Sequence, residues 1–360
     1  MDTSPIEENV SDPLTNEGNE DESSHFVYSI ANYGADFTVE VLVKKLMNGD
    51  IFVPPFQRQF VWNLRESSRF IESLLLGLPV PNIFLAKDIA TQKLMVLDGQ
   101  QRLQSLKFFY EGIFSESKKQ FELKGVIERF EGLTYKTLAE QDRRRLDDSP
   151  IHAIIVKQEE PSDNQSSIFY IFERINTGGQ RLTSQEIRAC IYHGEFSELL
   201  SELNKVQTWR NIYGPVSAKM KDQELILRFF AFHFNLQKYS RPMKEFLNDF
   251  MAENRKLQKY GTETLTSLFH KTVEVAGSLL GEKPFRIGPA INTAIFDSIM
   301  YGLSRRVLKG EITEPRKIET EYLQLVQNED FLKYCTKATA DEKSVQERMR
   351  IADETFAGIK

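Results

Sequence analysis

Apolar and polar positions follow two different periods along this chain, and the change from one period to the other predicts how it is organised. Between residues 37 and 160, short apolar runs that predict strands alternate with segments of helical spacing. The predicted strands cover residues 51–53, 82–87, 93–97 and 151–157. Beyond residue 162 the spacing is almost entirely helical, most clearly over residues 168–174, 184–192, 224–235 and 291–307.

These patterns predict an α+β protein with two folded domains. We expect a small mixed-sheet domain over residues 25–160 and an all-helical domain over residues 161–360, with the border near Pro161. Residues 1–24 contain eight acidic residues, no Lys or Arg, and few large apolar side chains. Such a segment cannot bury enough surface to offset its ordering entropy, so we expect a disordered tail.

Two of the predicted helices begin with a recognisable cap. Asn63 can cap a helix that has Glu66 three residues later, and Gly77 ends that helix. Thr183 and Glu186 form a second capping box at the start of the 184–192 helix. A third helix, from residue 101 onward, follows directly on the strand at residues 93–97. The polar residues between that strand and that helix therefore lie on a strand-to-helix turn.

Composition narrows the classes of function. The formal net charge is -6, and subtracting the -8 of the acidic tail leaves a body near +2, which does not require a nucleic-acid partner. Cys190 and Cys335 are the only cysteines and form no Cys-x-x-Cys pair, which favours a reducing compartment. The sequence shows neither a signal peptide nor an apolar span, so we expect a cytoplasmic protein without a membrane partner.

The strand-to-helix turn at residues 98–102 is the strongest candidate for chemistry. A helix that begins after a glycine presents unpaired backbone N-H groups and the positive end of its dipole, which together attract anions. Arg102 could bind a phosphate through two hydrogen bonds, and Asp98 could hold a metal ion or a water. A cation in the first helical turn opposes the dipole, so we expect Arg102 to contribute little to stability. The structural alternative is that Asp98 simply caps the helix.

One further sequence pattern could extend this candidate site, and the motifs of several other enzyme classes are absent from the sequence. Residues 173–181 combine two arginines and two glycines, which indicates either a second phosphate-binding loop or a well-capped loop between helices. The chain has no Gly-x-x-x-x-Gly-Lys-Ser/Thr loop and no Gly-x-Ser-x-Gly, which excludes a P-loop and gives no support to acyl-enzyme chemistry. The five histidines have no paired metal-binding spacing, so a zinc hydrolase is not indicated.

Four blocks, taken in order, resemble a known family. They are Val53-Pro54-Pro55-Phe56-Gln57-Arg58 with Val61-Trp62, Gly77-Leu78-Pro79-Val80-Pro81, Leu97-Asp98-Gly99-Gln100-Gln101-Arg102-Leu103, and Arg174-Ile175-Asn176-Thr177-Gly178-Gly179 with Leu182-Thr183 and Glu186-Ile187-Arg188. Together they resemble the DGQQR domain, which forms the N-terminal half of GmrSD-type modification-dependent restriction enzymes.

The resemblance implies a fold similar to ParB and sulfiredoxin, in which a small mixed sheet presents a polar turn to a nucleotide phosphate. It also implies that a nucleoside triphosphate with Mg²⁺ controls attack on DNA, mostly in defence against phage. Asp98, Gly99, Gln100, Gln101 and Arg102 would form this site, with Asp98 and Gln100 as catalytic candidates and Asp98 as the metal ligand. The further nucleotide-binding residues that it implies are Gln57, Arg58, Arg174, Asn176, Gly178 and Gly179.

The sequence departs from full-length family members in one respect. Those proteins add an HNH-type nuclease domain with a His-x-x-Pro signature, and none of the five histidines here has Pro three positions later. We therefore expect that this chain does not cut DNA by itself and acts with a separate nuclease or effector subunit. The base of the nucleotide and the DNA modification sensed stay open.

Two hypotheses of different class follow. The first is a nucleotide-binding sensor or regulatory module of a GmrSD-like restriction or phage-defence system, and whether it also hydrolyses the nucleotide is open. The second is a non-enzymatic DNA- or protein-binding adaptor, in which Arg58, Arg102 and Arg181 bind nucleic-acid phosphates. The salt dependence of DNA binding and the Mg²⁺ dependence of nucleotide binding distinguish the two.

Overall fold

The protein forms two compact units. The computed structural model describes residues 29–54, 60–88, 91–115, 119–160, 166–175 and 182–360. Their contacts place the described residues up to 182 in one unit and residues 183–360 in the other. The sequence pattern placed the border near Pro161, whereas the helix at residues 166–175 packs against two strands of the sheet and so belongs to the first unit.

A five-stranded mixed sheet organises the first unit. Its strands are β1 (Ser29–Thr38), β2 (Ile51–Phe52), β3 (Ile83–Lys87), β4 (Leu94–Asp98) and β7 (Pro150–Glu160). The strand order is β1-β7-β3-β4-β2, in which β7 with β3 and β4 with β2 are parallel and the other two pairs are antiparallel. The mixed sheet predicted from the sequence is thereby confirmed. A separate two-stranded ribbon pairs β5 (Ile113–Phe114) with β6 (Lys119–Gln120).

Helices bury the apolar side chains of this sheet. The helices of the unit are α1 (Val39–Met47), α2 (Leu64–Leu75), α3 (Gln100–Glu111), α4 (Glu140–Asp148) and α5 (Ser166–Ile175). Leu42, Ile71, Leu85, Val96 and Leu106 are among the fully buried residues of one continuous core. Burying an aliphatic side chain of this size contributes roughly 1.5–3 kcal/mol, so this core fixes the end of β4 against the start of α3.

Strand β1 is the longest element that the sequence pattern did not predict. Its residues pair with β7 in a continuous antiparallel register from Ser29↔Glu160 to Thr38↔Pro150, with one irregularity after Ser29. Asn32, Gly34 and Asp36 have low intrinsic preference for strands. The ladder to β7 overrides that preference, so β1 depends on a partner more than 110 residues away.

The second unit is mainly helical. Its helices are α6 (Ser184–Ile191), α7 (Glu195–Leu203), α8 (Gln207–Tyr213), α9 (Lys221–Asn235), α10 (Met243–Asn254), α11 (Thr262–Leu279), α12 (Thr293–Val307), α13 (Pro315–Leu325), α14 (Glu329–Thr336) and α15 (Glu342–Ala357). The expectation of an all-helical domain needs one correction, because β8 (Arg286–Ile287) and β9 (Ala290–Ile291) form a short antiparallel ribbon. Helix α12 is buried over most of its length and packs against α9, α11, α14 and α15.

Paired charges lie inside this unit. The fully buried Asp297 on α12 accepts hydrogen bonds from Arg228 on α9, including one of 2.6 Å from Nη2. Arg188 on α6 is 1% exposed and donates to Asn248, Gln185 and Glu224 at 2.9, 3.1 and 3.0 Å. These bonds anchor α6 to α9 and α10. They give the Glu186-Ile187-Arg188 block a structural role.

Among the described residues, no helix combines the length and the apolar character that crossing a membrane requires.

Candidate functional site

The polar turn predicted from the sequence lies where β4 meets α3. Strand β4 ends at Asp98, Gly99 follows with φ +98°, and α3 begins at Gln100. This left-handed conformation is one that glycine adopts without strain. A Cβ atom at position 99 would also lie 2.6 Å from Cγ2 of Ile83 on β3, so both the backbone angle and the neighbouring strand require glycine here.

The first turn of α3 keeps its N-H groups free of any side-chain cap from the described residues. The first intrahelical hydrogen bond runs from Leu103 N to Gly99 O at 2.9 Å. The N-H groups of residues 100–102 therefore precede that bond and have no partner within the helix. Backbone N-H groups at the positive end of a helix dipole, without a side-chain cap, provide the geometry that binds phosphate and carboxylate groups.

Arg102 is built into this turn. Its Nη1 donates to Pro81 O at 2.7 Å and to Asn82 O at 2.8 Å, and its Nη2 donates to Asp98 Oδ2 at 2.5 Å. The side chain is only 12% exposed. The dipole argument for a small contribution to stability did not include these bonds, which are worth more than a few tenths of a kcal/mol of unfavourable dipole energy. Its guanidinium fixes the turn to the segment before β3.

Asp98 does not cap α3. Its Oδ2 accepts from Arg102, while its Oδ1 has no hydrogen-bond donor among the described residues, and the side chain is 41% exposed. The structural alternative of a capping aspartate is therefore wrong, and the N-cap position belongs to Gly99. Within the described part of the chain, Oδ1 of Asp98 therefore has no donor, and it lies at a helix start without a side-chain cap.

The two glutamines of the turn have different surroundings. Gln100 is 8% exposed and has an interaction partner within the protein. Gln101 accepts hydrogen bonds through Oε1 from the backbone N-H groups of Val61 and Trp62, at 2.9 and 3.0 Å. Both residues were candidates for direct contact with a ligand. Within the described contacts, Gln101 instead binds the segment that precedes α2.

Of the six other predicted site residues, the structure describes Arg174. Gln57, Arg58, Asn176, Gly178 and Gly179 lie outside the described residues. Arg174 is exposed in the last turn of α5, a helix that packs against β4 and β7. Among the described residues, no hydrogen bond or ion pair joins Arg174 to the turn at residues 98–102.

Sequence reasoning missed the groups that hold the turn in place. The carbonyl oxygens of Pro81 and Asn82 are backbone atoms some twenty positions from Arg102, and no residue-type pattern marks them. The one available signal was the Gly77-Leu78-Pro79-Val80-Pro81 block, since it ends at one of these carbonyls.

The far end of α3 is also fixed by polar contacts. Tyr110 and Tyr135 stack with ring centroids 4.0 Å apart, and both hydroxyls donate to the Asp147 carboxylate on α4. Burial raises the pKa of Tyr135 to about 12, and hydrogen bonding to Asp147 acts in the same direction. The pKa of Tyr110 is likewise raised by burial and by Asp147. These phenols stay neutral and position the helix whose first turn forms the site.

The described residues contain no group of three or more His, Cys, Asp or Glu side chains that could hold a metal ion. Mg²⁺ does not need such a group, because it commonly binds through one or two carboxylates, water and the phosphates of a ligand. Asp98 fits that pattern, since its Oδ1 accepts from no residue that the structure describes and its side chain is partly exposed.

Comparison with known proteins agrees with this geometry. Residues 39–193 match the family model of the GmrSD restriction endonuclease N-terminal domain. This segment is therefore similar to the GmrSD N-terminal domain. The match covers less than half of the chain and includes the whole turn at residues 98–102. The matched segment begins at the first residue of α1 and ends just beyond α6, so the match extends from the sheet unit into the helical unit.

A protein of Methanocaldococcus jannaschii, whose name describes it as uncharacterized, is 34% identical to this chain over a short region. The similarity covers 18% of this chain and 15% of that protein. The chain therefore spans only a small part of that relative's length.

Proposed function

We propose that the sheet unit of this GmrSD-type protein binds a nucleoside triphosphate with Mg²⁺ at the start of α3, as a sensor or regulatory module of a restriction system. The matching family model supports the link to a restriction system. The proposal rests on one observation. Among the described residues, nothing caps the start of α3 through a side chain, and nothing donates a hydrogen bond to Oδ1 of the adjacent Asp98 carboxylate.

The charges of this turn favour a phosphate that arrives with a cation. The helix N-terminus attracts the phosphate oxygens, whereas the Asp98 carboxylate repels them. A divalent cation between the carboxylate and the phosphates converts this repulsion into attraction. Triphosphates carry both the negative charge and the oxygen ligands that Mg²⁺ prefers, which is why a nucleoside triphosphate fits better than a free carboxylate.

Arg102 has a supporting role in this proposal. Its guanidinium uses three hydrogen bonds to hold Asp98 and the segment before β3. It thereby fixes the direction of the carboxylate and adds a positive charge close to the phosphates. Gripping a phosphate through two hydrogen bonds, as expected from the sequence, would require Arg102 to release some of these internal partners.

The described residues support binding more strongly than hydrolysis. Hydrolysis needs a group that orients the attacking water, as glutamine does in several nucleotide hydrolases. Gln100, one of the two catalytic candidates, is largely buried and already has a partner within the protein. We therefore propose binding as the primary activity and leave turnover to measurement.

The alternative of a DNA- or protein-binding adaptor is favoured by one observation, the exposed Arg174 at the end of α5. Arginine side chains on a surface can bind nucleic-acid phosphates without reading the sequence. A single exposed arginine supports this reading less than the built turn supports the first.

Calorimetric titration tests the proposal. The chain is titrated with ATP, GTP, CTP and UTP, each with and without Mg²⁺, and with duplex DNA at increasing salt. We expect at least one triphosphate to bind at least about tenfold more tightly with Mg²⁺, a difference of about 1.4 kcal/mol. Absence of binding to all four triphosphates, together with DNA binding that falls steeply with salt, would instead establish the adaptor.

A further inference from the structure

A single side-chain oxygen joins two parts of the site that are far apart in sequence. Gln101 Oε1 accepts from Val61 N at 2.9 Å and from Trp62 N at 3.0 Å. An amide oxygen has two lone pairs, so these two bonds use its full capacity to accept. The Nε2 group of Gln101 makes no hydrogen bond to a described residue.

Aromatic contacts hold the same segment on both sides of Val61. The Phe60 ring meets Phe108 of α3 edge to face at 5.1 Å, and it meets Phe114 at 5.8 Å. The Trp62 ring packs edge to face against Phe70 of α2 at 5.9 Å. Such aromatic pairs each contribute about 0.5–1.5 kcal/mol beyond burial of area.

Val61 itself points outward between these two anchors. Its side chain is 68% exposed, although both neighbouring rings are packed and its N-H is bound. The hydrogen bond from Val61 N to Gln101 places this exposed side chain beside the first turn of α3. The Phe60–Trp62 segment therefore forms a wall next to the proposed phosphate site, and Gln101 holds it there.

We propose that Gln101 is a positioning residue of the nucleotide site, which acts by fixing the Phe60–Trp62 wall against the start of α3. The effect on nucleotide affinity rests on the function proposed above, whereas the effect on the wall does not. Because Oε1 is fully occupied, Gln101 has no remaining acceptor for a ligand group. Its contribution to affinity passes through the wall.

Amide hydrogen exchange of the full chain tests the positioning role without any ligand. Gln101→Met keeps the length of the side chain and removes the acceptor, so exchange at Val61 and Trp62 should become about tenfold faster, as expected for loss of about 1.4 kcal/mol of local protection. Gln101→Glu keeps two acceptor oxygens and should retain the slow exchange of the parent. Unchanged exchange in Gln101→Met, or equally fast exchange in Gln101→Glu, would overturn the proposal.

A double-mutant comparison separates positioning from direct contact. Phe60→Leu loosens the wall from its other side by removing the ring contacts with Phe108 and Phe114. If Gln101 acts through the wall, Gln101→Met and Phe60→Leu each weaken Mg²⁺-nucleotide affinity about tenfold, and the double variant is hardly weaker than either single variant. If Nε2 contacts the nucleotide directly, the two losses multiply, which would overturn the assignment.

The two readouts fail independently. Should no triphosphate bind the parent protein, the proposed function fails while the exchange result still decides whether Gln101 holds the wall. Should triphosphates bind with Mg²⁺ and Gln101→Met leave both exchange and affinity unchanged, the proposed function stands and the positioning role is rejected.

Discussion

Arg102 Nη2 lies 2.5 Å from Asp98 Oδ2, across the left-handed glycine that separates the strand from the helix. This pair closes the turn, and Nη1 of the same arginine ties it to the backbone before β3. The two residues therefore have unequal roles. Arg102 is largely buried and holds the structure, whereas Asp98 keeps one oxygen for other partners.

Replacing Arg102 by Ala should lower the free energy of unfolding by about 2–4 kcal/mol, because three hydrogen bonds of a largely buried cation are lost. Arg102→Lys should recover only part of this loss, since an ammonium group cannot reproduce the planar geometry of the guanidinium. Thermal and chemical denaturation of the three proteins provide the comparison. An Arg102→Ala protein as stable as the parent would contradict the role given to these bonds.

Asp98→Asn, unlike Arg102→Ala, should change stability little and weaken binding of the triphosphate strongly. The amide still offers an oxygen to Arg102, and the ion pair is partly exposed, so stability should fall by less than about 1 kcal/mol. Affinity for the triphosphate in the presence of Mg²⁺ should fall at least about tenfold, and the difference between titrations with and without Mg²⁺ should disappear. Retained Mg²⁺ dependence in a folded Asp98→Asn protein would remove Asp98 from the proposed cation site.

Gly99→Ala should destabilise the protein by about 2–4 kcal/mol, from the left-handed backbone and the overlap with Ile83. Gly112 is a matched control at the other end of α3. It has φ +77°, and an added Cβ there would have no atom within 4 Å. Gly112→Ala should therefore cost only about 1 kcal/mol. Equal losses for the two variants in urea denaturation would show that the contact with Ile83 does not matter.

His233 should make the stability of the helical unit depend on pH. Its Nδ1 lies 2.7 Å from Ser304 Oγ, and that hydroxyl donates to Tyr301 O, so Nδ1 carries the proton of a neutral ring. Burial lowers the pKa of His233 to about 4, and the charge of Arg305 acts in the same direction. The unfolded chain has a pKa near 6.5 at this residue, so it binds more protons than the folded protein between pH 6.5 and 4.

The contribution of neutral His233 to the free energy of unfolding is therefore complete above about pH 6.5. It is lost as the pH falls towards 4, by up to about 3 kcal/mol. Denaturation followed by tryptophan fluorescence, to which the buried Trp209 of this unit contributes, measures the change. His233→Asn retains a donor near Ser304 and lacks the titrating ring, so its stability should vary less over this range. An identical pH profile in the parent and the variant would rule out His233 as the cause.

The purified chain should leave plasmid DNA intact with any triphosphate and divalent metal, because none of its histidines lies in a His-x-x-Pro signature. Agarose electrophoresis of supercoiled plasmid, with an unrelated metal-dependent nuclease as positive control, gives the readout. Nicking that copurifies with the protein and disappears in Asp98→Asn would place a nuclease activity in the chain itself.

Local patterns predicted the parts of the fold that depend on near neighbours in sequence. The capping boxes Asn63 with Glu66 and Thr183 with Glu186 are both formed, and the predicted strands correspond to β2, β3, β4 and β7. The turn at residues 98–102 lies at the predicted junction because an apolar run followed by Asp-Gly determines it locally.

Long-range partners account for what the sequence did not predict. Strand β1 forms through β7, and Arg102 is stabilised by the carbonyls of Pro81 and Asn82. The dipole of α3 alone favours an external anion for Arg102, whereas the carbonyls that bind this arginine lie outside that helix. Gln101 was likewise assigned to a ligand, although its oxygen binds N-H groups about forty positions earlier.

The contacts of the buried Arg188 show that the segment that matches the family depends on residues beyond its C-terminal border. It belongs to the segment that matches the family, yet Glu224 and Asn248, which bind its guanidinium, lie outside that segment. A fragment that ends at residue 193 would lack both partners, and the guanidinium of Arg188, which is buried in the full chain, would lose these hydrogen bonds. A fragment with the borders of the family match would therefore expose the surface of α6 that α9 and α10 cover in the full chain. A longer fragment that retains α9 and α10 keeps this surface buried.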